Sequence, residues 1–349
     1  MNPSIRDVAK KANVSISTVS RVFNNPESVN QEMRERVLQV IEELGYAPNP
    51  FASGLRDNRS KVIVTMIPDI RNSYYAEMLS GIEEVALSNR YTVIIGNTIQ
   101  NEERFLEYVK NFVKMKVDGL IFASTEITEF YQKNFEALKI PVILASTEGR
   151  EWNLPSVRVN DYQASYEATA FLIQNGHQDI GFISGPTHAP IAGRERYEGF
   201  LGAMAAHELP TSEQNVVYSE MSFDAGYEAM AKLYAKMPHL TAVYAASDSM
   251  AIGAMKFLHE QGLEVPRHVS VMGFDNLEIS RMVSPGLTTV AQQIYEIGKT
   301  AGTMLFQAIE NREEELQSVT IDHEIIVRGT VRNRRLMMDG GDGAFRVFV

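Results

Sequence analysis

Seven short apolar runs alternate with helix-period stretches through the middle of this 349-residue chain. The runs are Val62–Ile67, Thr92–Gly96, Gly119–Ser124, Val142–Ala145, Ile180–Ser184, Ala242–Ala246 and Val269–Phe274. Between them lie amphipathic stretches such as Tyr75–Leu87, Tyr162–Gln174 and Met250–Gln261. A strand that is apolar throughout must be covered on both faces, and strand–helix alternation supplies the cover. The alternation therefore predicts parallel sheets wrapped by helices. There are too many units for one sheet, so two doubly wound lobes are expected. Ligands of such sheets bind at the carboxyl ends of the strands.

Residues 1–48 read differently. Ser4 and Asp7 stand three apart ahead of Ile5, Val8, Ala9 and Ala12, which predicts a first helix with both side chains serving its free N–H groups. Ser15 or Ser17 caps a second helix with Val19, Val22 and Phe23 inward, and Asn24-Asn25-Pro26 ends it. Asn30 caps a third, with Val37, Leu38, Ile41 and Leu44 inward and Gly45 as the stop. Two short helices, a tight turn and a supporting third helix predict a helix-turn-helix. The second helix would expose Ser17, Thr18, Ser20, Arg21 and Asn24. Small hydroxyl residues let a helix approach a phosphate backbone, and an arginine can pair two-pronged with a guanine edge. On the residues alone, a merely solvated polar face stays open.

Charge supports two functional parts. The net charge is -11. Residues 1–61 hold nine Lys or Arg against seven Asp or Glu, whereas the remainder holds 24 against 37. A slightly basic head on an acidic body would leave the head as the only surface that docks on a polyanion.

Enzyme classes find no purchase. The chain has no cysteine, which excludes disulfides and thiolate metal sites and fits a reducing cytoplasm. Gly298-Lys299-Thr300 resembles the end of a phosphate loop, but the glycine needed earlier is Gln293. There is no Gly-x-Ser-x-Gly elbow and no His-Glu-x-x-His, and the histidines are scattered, His177 reading as structural. No cofactor or metal is expected. Neither a signal peptide nor a membrane span of eighteen apolar residues is expected.

The run Ile5-Arg6-Asp7-Val8-Ala9, then Val14 through Asn24 (VSISTVSRVFN), then Val37 through Pro48 (VLQVIEELGYAP), resembles the signature of the LacI/GalR repressor family. The resemblance extends from Ile5 to about Arg332. It implies a transcriptional repressor that binds pseudo-palindromic operator DNA as a homodimer. Ile16 and Ser17 would choose the operator and Arg21 would read guanine. The implied DNA-facing set is Ser4, Ser15, Ile16, Ser17, Thr18, Ser20, Arg21, Asn24, Asn49 and Leu55. Residues 49–60 would form a hinge, too short and too rich in Gly, Ser and Asn to fold alone, whose Leu55 wedges into the minor groove.

Further family marks lie at Pro68-Asp69-Ile70, Asp118-Gly119, Gly176-His177, Arg196 through Phe200, Ser247-Asp248 and Gly273 through Asn276. They imply a two-lobed effector domain over residues 61–333, similar to periplasmic sugar-binding proteins. The first lobe would take 61–160 and 293–322, and the second 161–292 and 323–333. Tyr74, Tyr75, Asp161, Arg196, Met221, Phe223, Asp248, Asp275 and Gln292 would face the effector, a sugar or sugar derivative. Met221 stands where relatives place a stacking aromatic, so Phe223 is an alternative. Catabolite-control members of the family, which the chain resembles at Tyr74-Tyr75-Ala76-Glu77 and Tyr295, use a phosphoserine carrier protein as corepressor. That partner needs an arginine at position 303, which is Thr here. A small molecule is therefore preferred, with the carrier protein, or a plain sugar receptor, as alternatives. Residues 334–349 read as a disordered tail without leucine heptads.

Overall fold

The computed structural model describes residues 3–46, 59–186, 189–311 and 315–335. The chain divides into two units, residues 1–61 and 62–349. The hinge positions Asn49 and Leu55, the side chain of Asn24 and the tail beyond Arg335 lie outside the described residues.

Among its described residues the first unit has three α-helices: α1 (Ile5–Ala12), α2 (Ile16–Asn24) and α3 (Gln31–Leu44). Their apolar faces meet in one core of Val8, Ala9, Ala12, Val19, Val22, Val37 and Val40. The caps follow the sequence signals. Ser15 accepts from the Thr18 N–H and Asn30 from the Glu32 N–H. At α1 Ser4 and Asp7 form a capping box, and the Asp7 carboxylate accepts the hydroxyl of Ser4 as well as its N–H, at 2.7 and 2.8 Å. Phe23 and Leu38, expected inward, are 37% and 43% exposed. The residues nearest the α1 seam, Val19 and Val22 on α2 and Val37 and Val40 on α3, fill that small core instead. Phe23 rests beside the Tyr46 ring, 6.4 Å between centroids.

The second unit carries two six-stranded sheets. The first lobe runs β1 (Val62–Ile67), α4 (Ser73–Ser88), β2 (Thr92–Asn97), α5 (Glu102–Met115), β3 (Gly119–Ala123), α6 (Glu129–Leu138), β4 (Val142–Ala145) and β5 (Ser156–Val159). The chain then crosses to the second lobe. There it forms α7 (Asp161–Gln174), β6 (Ile180–Ser184), α8 (Arg196–Ala206), β7 (Val216–Tyr218), α9 (Phe223–Lys236), β8 (Ala242–Ala245), α10 (Asp248–Glu260), β9 (Ser270–Asp275), α11 (Glu278–Met282) and β10 (Thr288–Ala291). It returns through α12 (Ile294–Glu310) to β11 (Val319–Ile321), and ends in β12 (Glu324–Ile326) on the second sheet. The strand orders are β11-β5-β4-β3-β1-β2 and β12-β10-β9-β8-β6-β7. Every pairing is parallel except β12, which runs antiparallel to β10 at an edge.

β1 and β3 to β5 are buried throughout or nearly so, as are β6, β8, β9 and β10. Helices close both faces, leaving the strand ends as the place where polar groups can gather. Gly298 lies inside α12, where a Cβ would stand 2.0 Å from the Met78 carbonyl oxygen of α4. The Gly-Lys-Thr triplet is thus a helix seam rather than a phosphate loop. Among the described residues no helix is long and apolar enough to cross a membrane.

Candidate functional site

On the head, α2 presents one polar edge. The Ser15 hydroxyl bonds those of Ser17 and Thr18 at 2.7 and 2.8 Å, which fixes the rotamers at the helix start. Arg21 is exposed, and Ile16, at 45% exposure, stands out beside the polar edge. An exposed apolar residue and a free arginine on the second helix of such a motif suit contact with base edges and methyl groups in a major groove. Ser4 is tied to Asp7, and Ser20 is half-buried.

Between the two lobes lies a cavity of about 440 Å³. It is built from residues that follow strand ends: Asp69 and Arg71 after β1, Ser124 and Thr125 after β3, Ser146 and Thr147 after β4, Asp161 after β5, Ser247 and Ser249 after β8, Asp275 ending β9 and Gln292 after β10. Tyr74 and Tyr75 from the first turn of α4 and Met221 from the second lobe complete it.

Arg196 is the centre of charge. Its Nε donates to Asp161 Oδ1 at 2.8 Å and its Nη1 to the Ala246 carbonyl. Asp275 Oδ1 lies 3.8 Å from Nη1, and the guanidinium covers the Phe274 ring at 3.7 Å. A buried guanidinium held by carboxylates, a carbonyl and a ring face has one orientation only. Asp275 also accepts from Gln292 Nε2 at 2.5 Å. Burial pushes its carboxyl up to about 7, against the pull of Arg196. Tyr74 shares a hydrogen bond with the Ser146 hydroxyl, and burial raises both tyrosine hydroxyls, Tyr75 to about 12. Behind this group Arg158 of the first lobe reaches Glu195 of the second at 2.7 Å and Glu148 at 3.2 Å.

Five non-glycine residues with left-handed φ line the same cavity: Ile99, Gln100, Ser124, Ser146 and Asp275, the last at φ 122. Such conformations cost of order 1–3 kcal/mol each and concentrate where a surrounding structure needs them. Here they turn the chain at successive strand ends, so side chains converge on one space.

Of the residues expected from the sequence, Tyr74, Tyr75, Asp161, Arg196, Met221, Asp275 and Gln292 come together here. Phe223 does not; it starts α9 and is 42% exposed outside the lining. Asp248 does not line the cavity either. It is fully buried, taking Thr289 Oγ1 on one oxygen and the Leu277 N–H, at 2.7 Å, on the other. Burial and the nearby Asp275 raise its carboxyl well above the usual range. Leu277 in turn packs with Tyr74, Tyr75 and Ile294. Asp248 therefore holds a second-lobe loop against the first lobe. The small polar residues after β3 and β4 went unread, although the strand-end rule that placed the cleft also points to them.

The comparisons with known proteins agree with this geometry. Residues 4–49 match the profile described as bacterial regulatory proteins, lacI family, and residues 60–328 that of periplasmic binding proteins and sugar binding domain of LacI family. The chain belongs to the LacI family of bacterial regulators. It is 36% identical over 332 residues to catabolite control protein A of Priestia megaterium, covering 95% of this chain and all of the relative. It is 32% identical to the transcriptional repressor CytR of Escherichia coli K12, covering 94% of this chain and 96% of that one. Among solved structures it is similar to the transcriptional regulator CelR in complex with cellobiose, at TM-score 0.73 and 26% identity, covering 94% of this chain and 99% of that one. As a LacI-family chain it combines a DNA-binding helix-turn-helix with a periplasmic-binding-protein-like effector domain.

Proposed function

We propose that this LacI-family regulator is a dimeric, sequence-specific repressor whose operator affinity is set by a sugar or sugar derivative bound between its lobes. The observation that carries the effector half is the fixed Arg196 guanidinium, flanked by Asp161 and Asp275 in a cavity that both lobes line. Nε and Nη1 are committed, which leaves the Nη2 edge for a ligand oxygen. Carboxylates, hydroxyls and an amide around an apolar ring are the groups that recognise a polyol. A molecule that bridges both lobes favours their closed arrangement over the open one. The similarity to a regulator solved with cellobiose supports the same class. A thermal-shift screen of sugars, sugar phosphates and purines tests it; a purine as the sole binder would replace the sugar reading.

On the head, Ile16, Ser17 and Arg21 are the base-reading residues, with Ser4, Ser15, Thr18, Ser20 and Asn24 at the backbone. Asn49 and Leu55 keep the hinge role that the family resemblance implies. Arg21→Ala is expected to weaken operator binding by about 1–3 kcal/mol and to relax preference at one guanine per half-site. Gel-shift titration on the operator and on its single-base variants measures this. An equal loss on every sequence would reduce Arg21 to a phosphate contact.

The raised carboxyl of Asp275 gives a pH signature. A ligand hydroxyl that donates to Asp275 binds the ionised form, so affinity should rise with pH toward about 7 and level off above it. The slope is bounded at about tenfold per pH unit for one proton. Asp275→Asn should flatten the profile. Calorimetry with a screened sugar between pH 6 and pH 8 reads the result, and a falling affinity would mean that the protonated form is the binder.

The relative named catabolite control protein A keeps a second reading in view, a phosphoserine carrier protein as corepressor. On the outer face of α4 and α12, Lys299 pairs with Glu84 at 2.9 Å, and Tyr295 donates to the same carboxylate. Thr303 donates to the Lys299 carbonyl. This face offers one lysine already neutralised, which favours the cleft ligand. Calorimetry with phosphorylated carrier protein separates the two.

A further inference from the structure

The second lobe has another cavity, about 330 Å³, where its strands begin rather than where they end. Thr241 precedes β8 and Val269 precedes β9; both line it, as does His177 ahead of β6. Its lining includes Arg267, Arg332 and Arg334 with His239 and His268, and among the described residues no aspartate or glutamate. That runs against the composition of residues 62–349, where acids outnumber Lys and Arg by 37 to 24.

Arg332 is built into place. Its N–H donates to Ser270 Oγ at 3.0 Å and its Nη1 to the Arg267 carbonyl at 2.9 Å. Its own carbonyl lies 3.1 Å from His177 Nε2, and His177 Nδ1 lies 3.1 Å from Thr241 Oγ1. Burial holds the His177 ring down at about 4, so it is neutral at pH 7. Nε2 must then carry the proton it gives the carbonyl, and Nδ1 accepts from Thr241. Arg332 Nε is left buried and without an acceptor. A buried guanidinium N–H without a partner is unfavourable, and an acceptor oxygen satisfies it, most strongly when that oxygen is charged. Among the described residues, Glu264 lies 3.5 Å from Arg267 and Asp179 3.8 Å from His239. Both pairs are exposed, where ion pairing is weak.

We propose that this cavity is a second ligand site, remote from the interlobe cleft, for a small phosphate-bearing oxyanion gripped by Arg267, Arg332 and Arg334. Three guanidinium groups, of which Arg267 alone meets a carboxylate in an exposed 3.5 Å pair, suit a dianion, and their planar forks match phosphate oxygens. Free phosphate and a phosphate ester share this chemistry.

The test is calorimetry on the full chain at constant ionic strength. One arm titrates inorganic phosphate, a second glycerol 3-phosphate, and glycerol is the blank. Saturable binding of either anion is expected beyond any heat from glycerol, which belongs to the cleft. Arg267→Gln, an exposed substitution that leaves the fold alone, should weaken it about tenfold or more, since a charge-assisted bond is lost. Arg332→Gln should abolish it, while Asp275→Asn in the cleft should leave it unchanged. Equal affinity for both anions assigns free phosphate, and tighter glycerol 3-phosphate assigns an ester. No saturable binding at millimolar anion would overturn the site. So would equal binding by Arg267→Gln, or loss of binding on Asp275→Asn, which would move the anion to the cleft.

Discussion

Arg196→Met is expected to remove the effector response and to destabilise the second unit by about 3–5 kcal/mol. The guanidinium is 5% exposed and sits between Asp161 and Asp275, themselves 1% and 7% exposed. Methionine fills much of the volume but leaves Asp275 buried without a cation and Asp161 with Arg158 alone, 3.9 Å away. One of them, Asp275, relieves part of the strain by taking a proton, since its carboxyl already stands near 7. Asp161 loses its 2.8 Å partner. The denaturation midpoint should fall by roughly 10 °C for a unit of this size. A triple variant, Arg196→Met with Asp161→Asn and Asp275→Asn, separates the two roles. It should recover most of the stability, because no buried charge is then unpaired, but none of the effector response. Calorimetric melting and effector-titrated gel shifts, both run below the variant's transition, provide the readings. Arg196→Met that still releases or retains operator normally with effector would end the assignment of Arg196 to the ligand.

The legible part of this molecule was the part with continuous patterns. β3 and β4 are unbroken apolar runs, β1 is broken only by Thr65, and the helices between them keep a clear period. β5, β7, β10, β11 and β12 went unread because they are three or four residues long, several at sheet edges, and include polar residues such as Arg158, Thr288 and Glu324. Their existence depends on partners elsewhere in the chain. Tyr74, Tyr75, Arg196 and Asp275 were legible as polar or aromatic residues beside strand ends and on family marks. Asp248 looked the same in sequence, yet points into the lobe. Its carboxylate occupies the space that a side chain at Gly273 would take, with the absent Cβ only 2.3 Å from Asp248 Oδ1. That is a tertiary fact, invisible from spacing. Phe223 was a matter of helix phase: Ser222 caps α9, so the ring falls on an open first turn. Phe23 and Leu38 in the head failed similarly, since three short helices have too small a core for every apolar residue.

Gly298→Ala should destabilise the first lobe by about 3 kcal/mol or more, far beyond what one methyl group ordinarily does. The reason is reciprocal backbone contact between α4 and α12. A Cβ on Gly298 would stand 2.0 Å from the Met78 carbonyl oxygen, and one on Gly81 would stand 2.2 Å from that of Tyr295. Neither obstacle is a side chain that can turn aside, so the helices must separate. Separation opens the core of Met78, Ile82, Ile297 and Ala301, all fully buried. It also displaces Tyr74 and Tyr75, which begin α4 and line the cleft, so sugar binding should weaken along with stability. Gly302→Ala is the matched control one turn further along α12. Its Cβ meets only the Val85 side chain, nearest at Cβ 3.2 Å, so a shift of a few tenths of an ångström relieves it. There the gain in helix propensity, up to about 1 kcal/mol, opposes the crowding, and the net change should be small. Chemical denaturation of the two variants and of Gly81→Ala measures the series. The seam requires Gly298→Ala and Gly81→Ala to fall together well below Gly302→Ala. A Gly298→Ala protein as stable as Gly302→Ala would show that the two helices do not pack backbone to backbone.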